Sequence, residues 1–400
     1  MTDNELSRRF PPWLVLMGVL TAIGPMSIDM YLPSFPAVEA ALGPGAPLTL
    51  ASFFVGLAIG QLIYGPVSDR IGRRPPIYFG LVLYIIASLM CAHATSMTML
   101  IALRFVQALG GCAGMVICRA IVRDRCDARA AAQAFSMLML VMGLAPILAP
   151  LFGGWILGVA SWKAIFYTQV AFGVVCLVWV HVGLAESRDT RHAEPLELMR
   201  VLRTYASLAR DAGFMGYTLT TVLASTGMFA YIAGSPKLLM EHYDIAPAHY
   251  GWVFGANAFG LISASQINAR LLRRGRSITD LLRRMLWLPV GAGLLLGLAA
   301  WSGFAPIWLL LPCFFFYMAS LGFINPNAGA AALATHGQRA GLASALMGAL
   351  QFVLAASAGA LMDAWIDGSA RPLATLMAAS GVAAWAAHYF LVTRRAASAA

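Results

Sequence analysis

The chain has 400 residues, of which 60% are hydrophobic and only 11% charged, and its mean hydropathy is +0.76. A soluble protein of this length covers its apolar core with a charged surface, and this composition leaves too little charge to do so. The chain reads as a membrane protein, so its net charge of +10 concerns where the positives lie relative to the spans and does not point to nucleic acid. The six cysteines (Cys91, Cys112, Cys118, Cys126, Cys176, Cys313) include no CxxC pair, and no disulfide framework or metal site is expected from them.

A helix crossing about 30 Å of hydrocarbon needs about 20 apolar residues, because lipid offers the backbone no hydrogen-bond partner. Applied along the chain, that ruler gives about twelve spans. They fall roughly at 12–33, 48–68, 76–94, 98–118, 133–157, 163–184, 212–236, 248–269, 284–301, 306–331, 341–363 and 372–392. From Met285 to Gln338 there is no Asp, Glu, Lys or Arg. Between the sixth and seventh spans, charges cluster at Arg188, Asp189, Arg191, Glu194, Glu197, Arg200, Arg203 and Arg210. The fold class is therefore an all-α integral membrane protein of twelve transmembrane helices in two pseudo-symmetric six-helix bundles, 1–185 and 212–400, joined by a linker at 186–211.

With the first tail inside, the inner segments collect Arg8, Arg9, Arg70, Arg73, Arg74, Arg119, Arg123, Arg125, Arg129, the linker arginines, Arg270, Arg273, Arg274, Arg276, Arg283, Arg284, Arg339, Arg394 and Arg395. The outer loops keep Lys163, Lys237 and Arg371. The positive-inside rule then puts both termini in the cytoplasm, with anionic lipid as a further contact. Ser7-Arg8-Arg9-Phe10 looks superficially like a twin-arginine export signal, but no small-residue cleavage site comes after it, and the first span is expected to remain.

The halves share a repeat. An offset of 200 residues sets Gly60 on Gly260, Arg70 on Arg270, Arg73 on Arg273 and Arg74 on Arg274. The first copy reads Gly65-Pro66-Val67-Ser68-Asp69-Arg70-Ile71-Gly72-Arg73-Arg74. This GxxxDRxGRR string, between the second and third spans, resembles the signature of the major facilitator superfamily. Glycine allows a tight turn there, and Asp69 is expected at the positive N-terminus of a neighbouring helix. The resemblance implies a latch that closes the cytoplasmic side, formed by Gly65, Asp69, Arg70, Gly72, Arg73 and Arg74. In the second copy Ala269 and Leu272 replace the aspartate and glycine, which puts a second latch in doubt.

Further motifs narrow the resemblance. Arg104-Phe105-Val106-Gln107 in span four is similar to the superfamily's RxxQG motif. Span five, from Gly143 to Gly154, looks like the antiporter motif of exporters, with Gly143, Pro146, Pro150, Gly153 and Gly154 in a gating role. Asp29-Met30-Tyr31-Leu32-Pro33, Phe229 to Pro236, Asn325-Pro326-Asn327-Ala328 and Gly341 to Gln351 resemble the bicyclomycin and chloramphenicol resistance branch of drug:proton antiporters. The resemblance implies efflux of small hydrophobic or amphipathic drugs in exchange for protons by alternating access, in a bacterial inner membrane. The energy source is the proton gradient, no cofactor is needed, and one chain suffices as a monomer.

An ionised group at a helix centre costs about 2.5 to 3.5 kcal/mol on insertion scales, so such groups are rare and functional. Asp29 and Arg104 are two, at similar estimated depth, and are expected to pair and carry proton coupling. Thr21 stands where a related multidrug group has a second carboxylate, which favours one proton per drug. Asp363 reads as an interfacial residue. Gly56 and Gly60 read as a close-packing pair. For the substrate cavity the polar candidates are Tyr31, Tyr231, Asn257, Asn325, Asn327 and Gln351, although for each taken alone an interhelical hydrogen bond is the readier reading. The seven histidines are scattered. With no HExxH, GxSxG or P-loop, neither a membrane enzyme nor an ATP-driven pump is supported. The alternative kept open is a proton-coupled transporter of one small metabolite, a sugar or an amino acid.

Overall fold

A computed structural model describes residues 11–188, 198–334, 336, 339–365 and 367–394. The expectations resting on Arg8, Arg9, Asp189, Arg191, Glu194, Glu197 and Arg395, and on the side chain of Arg129, lie outside the described residues. The chain divides into two compact units, Met1–Leu198 and Met199–Ala400. Among the described residues there is helix and no strand.

The first unit opens with an interrupted element: α1 (Pro12–Thr21), α2 (Ile23–Ile28), a 3-10 turn at Leu32–Ser34, and α3 (Phe35–Leu42). Proline explains the interruptions. Pro25 has no N–H to give the Thr21 carbonyl and its ring crowds that carbonyl, so the helix breaks at Ala22. Pro33 cannot serve the Asp29 carbonyl either, and the Leu32 N–H takes it at 3.4 Å. Asp29 thus sits at the C-cap of α2. The unit continues with α4 (Ala46–Ile71), α5 (Arg74–Ala92), α6 (Met97–Arg125), α7 (Ala128–Val159) and α8 (Lys163–Gly183). Where α4 meets α6, a Cβ added at Gly60 would lie 2.6 Å from Cys112 Cβ, and one at Gly56 2.7 Å from Ala108 Cβ. Both glycines serve close packing.

The second unit contains α9 (Leu198–Arg210), α10 (Ala212–Pro236), α11 (Pro247–Arg273), α12 (Ile278–Met285), α13 (Trp287–Ser302), α14 (Ile307–Leu333), α15 (Ala340–Ala364) and α16 (Arg371–His388). Helix α9 falls in the stretch read as a linker, and its Leu208 is packed with Phe214, Ala332 and Ala343.

Ten of the described helical segments are long and apolar enough to cross a membrane. Helices α10 and α11, at 25 and 27 residues, have the length but are not among them. The reason is polarity: α10 carries Thr218, Thr220, Thr221, Ser225 and Thr226, and α11 carries His249, Asn257, Gln266 and Asn268. Large apolar side chains point outward, with Trp155 66% and Leu298 71% exposed, whereas Arg104, Gln107 and Thr218 are fully buried. Apolar outside and polar inside suits a protein whose solvent is lipid.

Candidate functional site

Arg104 projects from α6 into the break of the first element. Its Nη1 donates to Gln107 Oε1 at 2.6 Å, and its Nη2 to the Ser27 carbonyl at 2.9 Å. The rings of Phe53, Tyr31 and Phe166 lie 4.3, 4.8 and 6.0 Å from Cζ, which surrounds the cation with π faces. The buried Nε has no hydrogen-bond partner. Gln107 Nε2 donates at 2.6 Å to both Ser88 Oγ and Gln169 Oε1. Gln169 Nε2 reaches the Met26 carbonyl at 3.5 Å, and Ser27 Oγ bonds Tyr84 Oη at 2.8 Å.

The expected pair of Asp29 and Arg104 is not formed. Asp29 is 5% exposed, and among the described residues its carboxyl makes no hydrogen bond or ion pair. The break supplies the physical reason. Because α2 stops at Ile28, its last carbonyls have no N–H one turn ahead, and a guanidinium that meets one of them satisfies an orphaned acceptor. Tyr31 is fully buried as a wall of the Arg104 cage, and its Oη accepts from Thr49 Oγ1 at 3.1 Å.

The GxxxDRxGRR loop ends α4 and starts α5. Arg73, 3% exposed, donates from Nη1 to Asp69 Oδ1 at 2.7 Å and to Ser68 Oγ at 2.8 Å. From Nε and Nη2 it grips Asp124 at 2.7 and 3.3 Å, a bidentate pair at the end of α6. Arg188 Nε donates to the Asp69 carbonyl at 2.7 Å. The helix N-terminus expected to receive Asp69 is occupied by a different acid. Glu186 accepts the N–H of Arg73 at 2.9 Å and of Arg74 at 3.0 Å, the free donors that begin α5. Gly72 makes room for it: φ is +95°, and a Cβ there would lie 2.8 Å from Glu186 Oε2. Burial pushes the Glu186 carboxyl up, but the N–H bonds from Arg74, Arg73, Arg188 and Ser187 outweigh it and hold the group below the usual glutamate range. Arg74 bonds Tyr78 Oη at 2.9 Å, Arg70 is exposed, and Gly65 has open space beside it. In the second unit Arg270, Arg273 and Arg274 make no ion pair among the described residues. With Ala269 in place of the aspartate, that copy has no such arrangement.

Helix α7 runs through Pro146 and Pro150 as one helix. Its Ala149 packs on Met30, and Gly153 lies so close to the Met30 backbone that a Cβ would overlap the Met30 carbonyl oxygen. Pro150 and Gly154 are buried, and Gly143 and Pro146 half-buried. The motif read as a gate therefore touches the residue directly after Asp29.

In the second unit, three of the cavity candidates are buried and bonded. Tyr231 Oη accepts from Asn257 Nδ2 at 2.7 Å, and Asn327 exchanges bonds of 3.2 and 2.9 Å with Asn268. Asn325 is half-buried; its Oδ1 accepts from Thr221 Oγ1 at 2.8 Å and from Ser225 Oγ at 3.2 Å. Gln351 is half-buried and makes no hydrogen bond among the described residues. Thr21 donates to the Met17 carbonyl at 2.7 Å, and Asp363 is half-buried near the end of α15.

Residues 16–361 match the family described as the Major Facilitator Superfamily. An "Uncharacterized MFS-type transporter YdgK" of Bacillus subtilis is 35% identical over 99% of both chains. The chain belongs to the Major Facilitator Superfamily. Among other relatives, a "Bicyclomycin resistance protein homolog" of Haemophilus influenzae is 30% identical over 96% of both chains. "Multidrug resistance protein D" of Escherichia coli is 28% identical over 93% of this chain and 94% of that one. The superfamily fold is seen again in the Escherichia coli xylose transporter XylE, with a TM-score of 0.73 at 13% identity, covering 95% of this chain and 97% of that one. A superfamily member is a transporter and not an enzyme. Sequence reasoning missed three residues here. Asp124 and Glu186 passed as ordinary charges at helix ends, and Gln169 as one polar residue in an apolar span. A polar side chain fully inside a membrane helix, as Gln169 is, was the available signal.

Proposed function

We propose that the chain exports small hydrophobic or amphipathic drugs across a bacterial inner membrane in exchange for protons. One observation carries the reading: Asp29 is a buried carboxyl with no partner among the described residues, at a break in the first element of a chain similar over nearly its whole length to resistance transporters. A carboxyl in that situation changes protonation with whatever approaches it. A cationic or polar drug displaces the proton from inside, and a proton arriving from outside displaces the drug. The proton gradient drives the cycle, with about 2.3 kcal/mol per charge per 100 mV from the potential alone. Arg104 orders the break beside Asp29.

The architecture that suits this cycle has twelve spans in two bundles, 1–185 and 212–400, joined at 186–211, with both termini in the cytoplasm. Helices α10 and α11 are the seventh and eighth spans, with Thr221, Ser225, Asn257 and Asn268 bonded to side chains of neighbouring elements. The Gly65–Arg74 loop is the cytoplasmic latch, and Gly143, Pro146, Pro150, Gly153 and Gly154 form the gate. Asn325 and Gln351, whose amide N–H groups are unengaged among the described residues, are the strongest substrate contacts of the second unit. Tyr231, Asn257 and Asn327 support the wall of the second unit, and Tyr31 that of the first. A monomer is complete, since one chain carries both bundles. The likeness to a xylose transporter is one of fold and adds nothing for a sugar substrate.

Inverted membrane vesicles test the reading. Drug added to vesicles with an acidified lumen should release protons in wild type, and Asp29→Asn should abolish that release while the protein remains in the membrane. Undiminished release from Asp29→Asn would sink it.

A further inference from the structure

The polar chain behind Arg104 ends on the same turn of α2 as Arg104 itself. Arg104 holds the Ser27 carbonyl directly. Through Gln107 it is tied to Gln169 on α8, which reaches the adjacent Met26 carbonyl. Gln107 uses its oxygen and both amide protons, on Arg104, Ser88 and Gln169. The loop is closed: two neighbouring carbonyls at the broken end of α2 are held from α6 and α8 together. Its effect is to fix where the guanidinium points. The Asp29 carboxyl lies two residues beyond Ser27, and among the described residues it makes no hydrogen bond or ion pair with Arg104.

We propose that Gln169 is a positioning residue for proton coupling, keeping Arg104 on the Ser27 carbonyl through Gln107 and so off the Asp29 carboxyl. An Asp29 paired with a guanidinium would hold its charge and give up its exchange of proton for drug. The inference rests on Asp29 being the proton carrier. The other groups facing this region are Tyr31 in the break, Tyr84 and Cys91 on α5, and Cys176 beside Tyr84 on α8. Glu39 on α3 acts on Tyr31 but is bound to the N–H groups of Gly45 and Ala46. Helix α4 presents Thr49 and Phe53, and α7 Ala149 and Gly153.

The test monitors the protonated-carboxyl infrared band of Asp29 in the full-length protein, reconstituted in lipid and titrated without drug. The difference between a protein and its Asp29→Asn version isolates the band. Gln169→Leu cannot make either bond and frees Gln107 and Arg104, so its midpoint should fall by about one pH unit, the low end of the effect of an adjacent opposite charge. Gln169→Asn, one methylene too short to join both partners, should move it the same way and serves if the leucine variant does not fold. A midpoint equal to wild type in a folded variant, even one with a lower melting temperature, overturns the positioning role. The two readings fail separately. If Asp29→Asn abolishes drug-triggered proton release while Gln169 variants titrate as wild type, the positioning role falls and the antiporter stands. If Asp29→Asn leaves release intact, the antiporter reading falls whatever the midpoint.

Discussion

Glu186 shows how much one carboxylate can organise. It closes the first turn of α5 by accepting two backbone N–H groups, as an N-cap side chain does, and Gly72 gives it space. Replacing it by Ala should cost about 1 kcal/mol, the usual value of a lost cap, read as a lower melting temperature in detergent. The sign with pH is set by a folded carboxyl held below its ordinary range. Its contribution is complete above the unfolded value and disappears as pH falls through the folded one. The difference between wild type and Glu186→Gln should therefore be full at pH 7 and shrink below about pH 4. Gly72→Ala should be worse, by about 1 to 3 kcal/mol, since it adds a strained φ to a collision with Glu186. The loop's glycine and arginines were legible in the sequence because the motif names them. Of the two acids that pair with Arg73, Asp69 belongs to that motif but Asp124 was not legible, since it lies 51 positions away and nothing local marks it.

At the scale of elements, the membrane helices were legible wherever apolar length decides. Spans five and eight through ten differ from the helices mainly at their ends. Helix α6 continues to Arg125, because charged residues at a membrane surface extend a helix that hydropathy ends at residue 118. The break at Ala22 and Asp29 was written in Pro25 and Pro33, yet a hydropathy window averages across it. That averaging also made Asp29 and Arg104 look like a pair: depth along a straight helix can be estimated, but the direction of a side chain at a broken one cannot. The contact of α7 with that break gives a sharper test than the prolines. Gly153→Ala would place a methyl on the Met30 carbonyl. Transport should fall at least tenfold with membrane abundance retained, measured as drug uptake into inverted vesicles. Gly65→Ala, with open space around it, should leave transport near wild type.

For the whole molecule, the positive-inside pattern predicts one sidedness. A fluorescent protein fused after Ala400 should be bright in cells, and alkaline phosphatase at the same place inactive. Outward placement of that end would give the reverse. The charge of +10 then orients the chain instead of binding a partner. Asn325→Ala tests the second unit's share in substrate choice: it should change the ranking of drugs transported more than the total proton release. Family and fold were legible from a few motifs because those motifs are dense in glycine, proline and arginine. The buried polar ring around Arg104 was not, since it is assembled from α2, α5, α6 and α8.

The position of Glu186 bears on how such a chain can be divided. Hydropathy would end the first bundle just before it and treat residues 186–211 as a tether. Yet Glu186 caps α5, and Arg188 bonds the Asp69 carbonyl. A gene split at residue 185 would therefore hand a piece of the first bundle's own scaffold to the second fragment. A split after Arg188 leaves each fragment with the groups that complete it, and separately translated halves should accumulate only in that second arrangement.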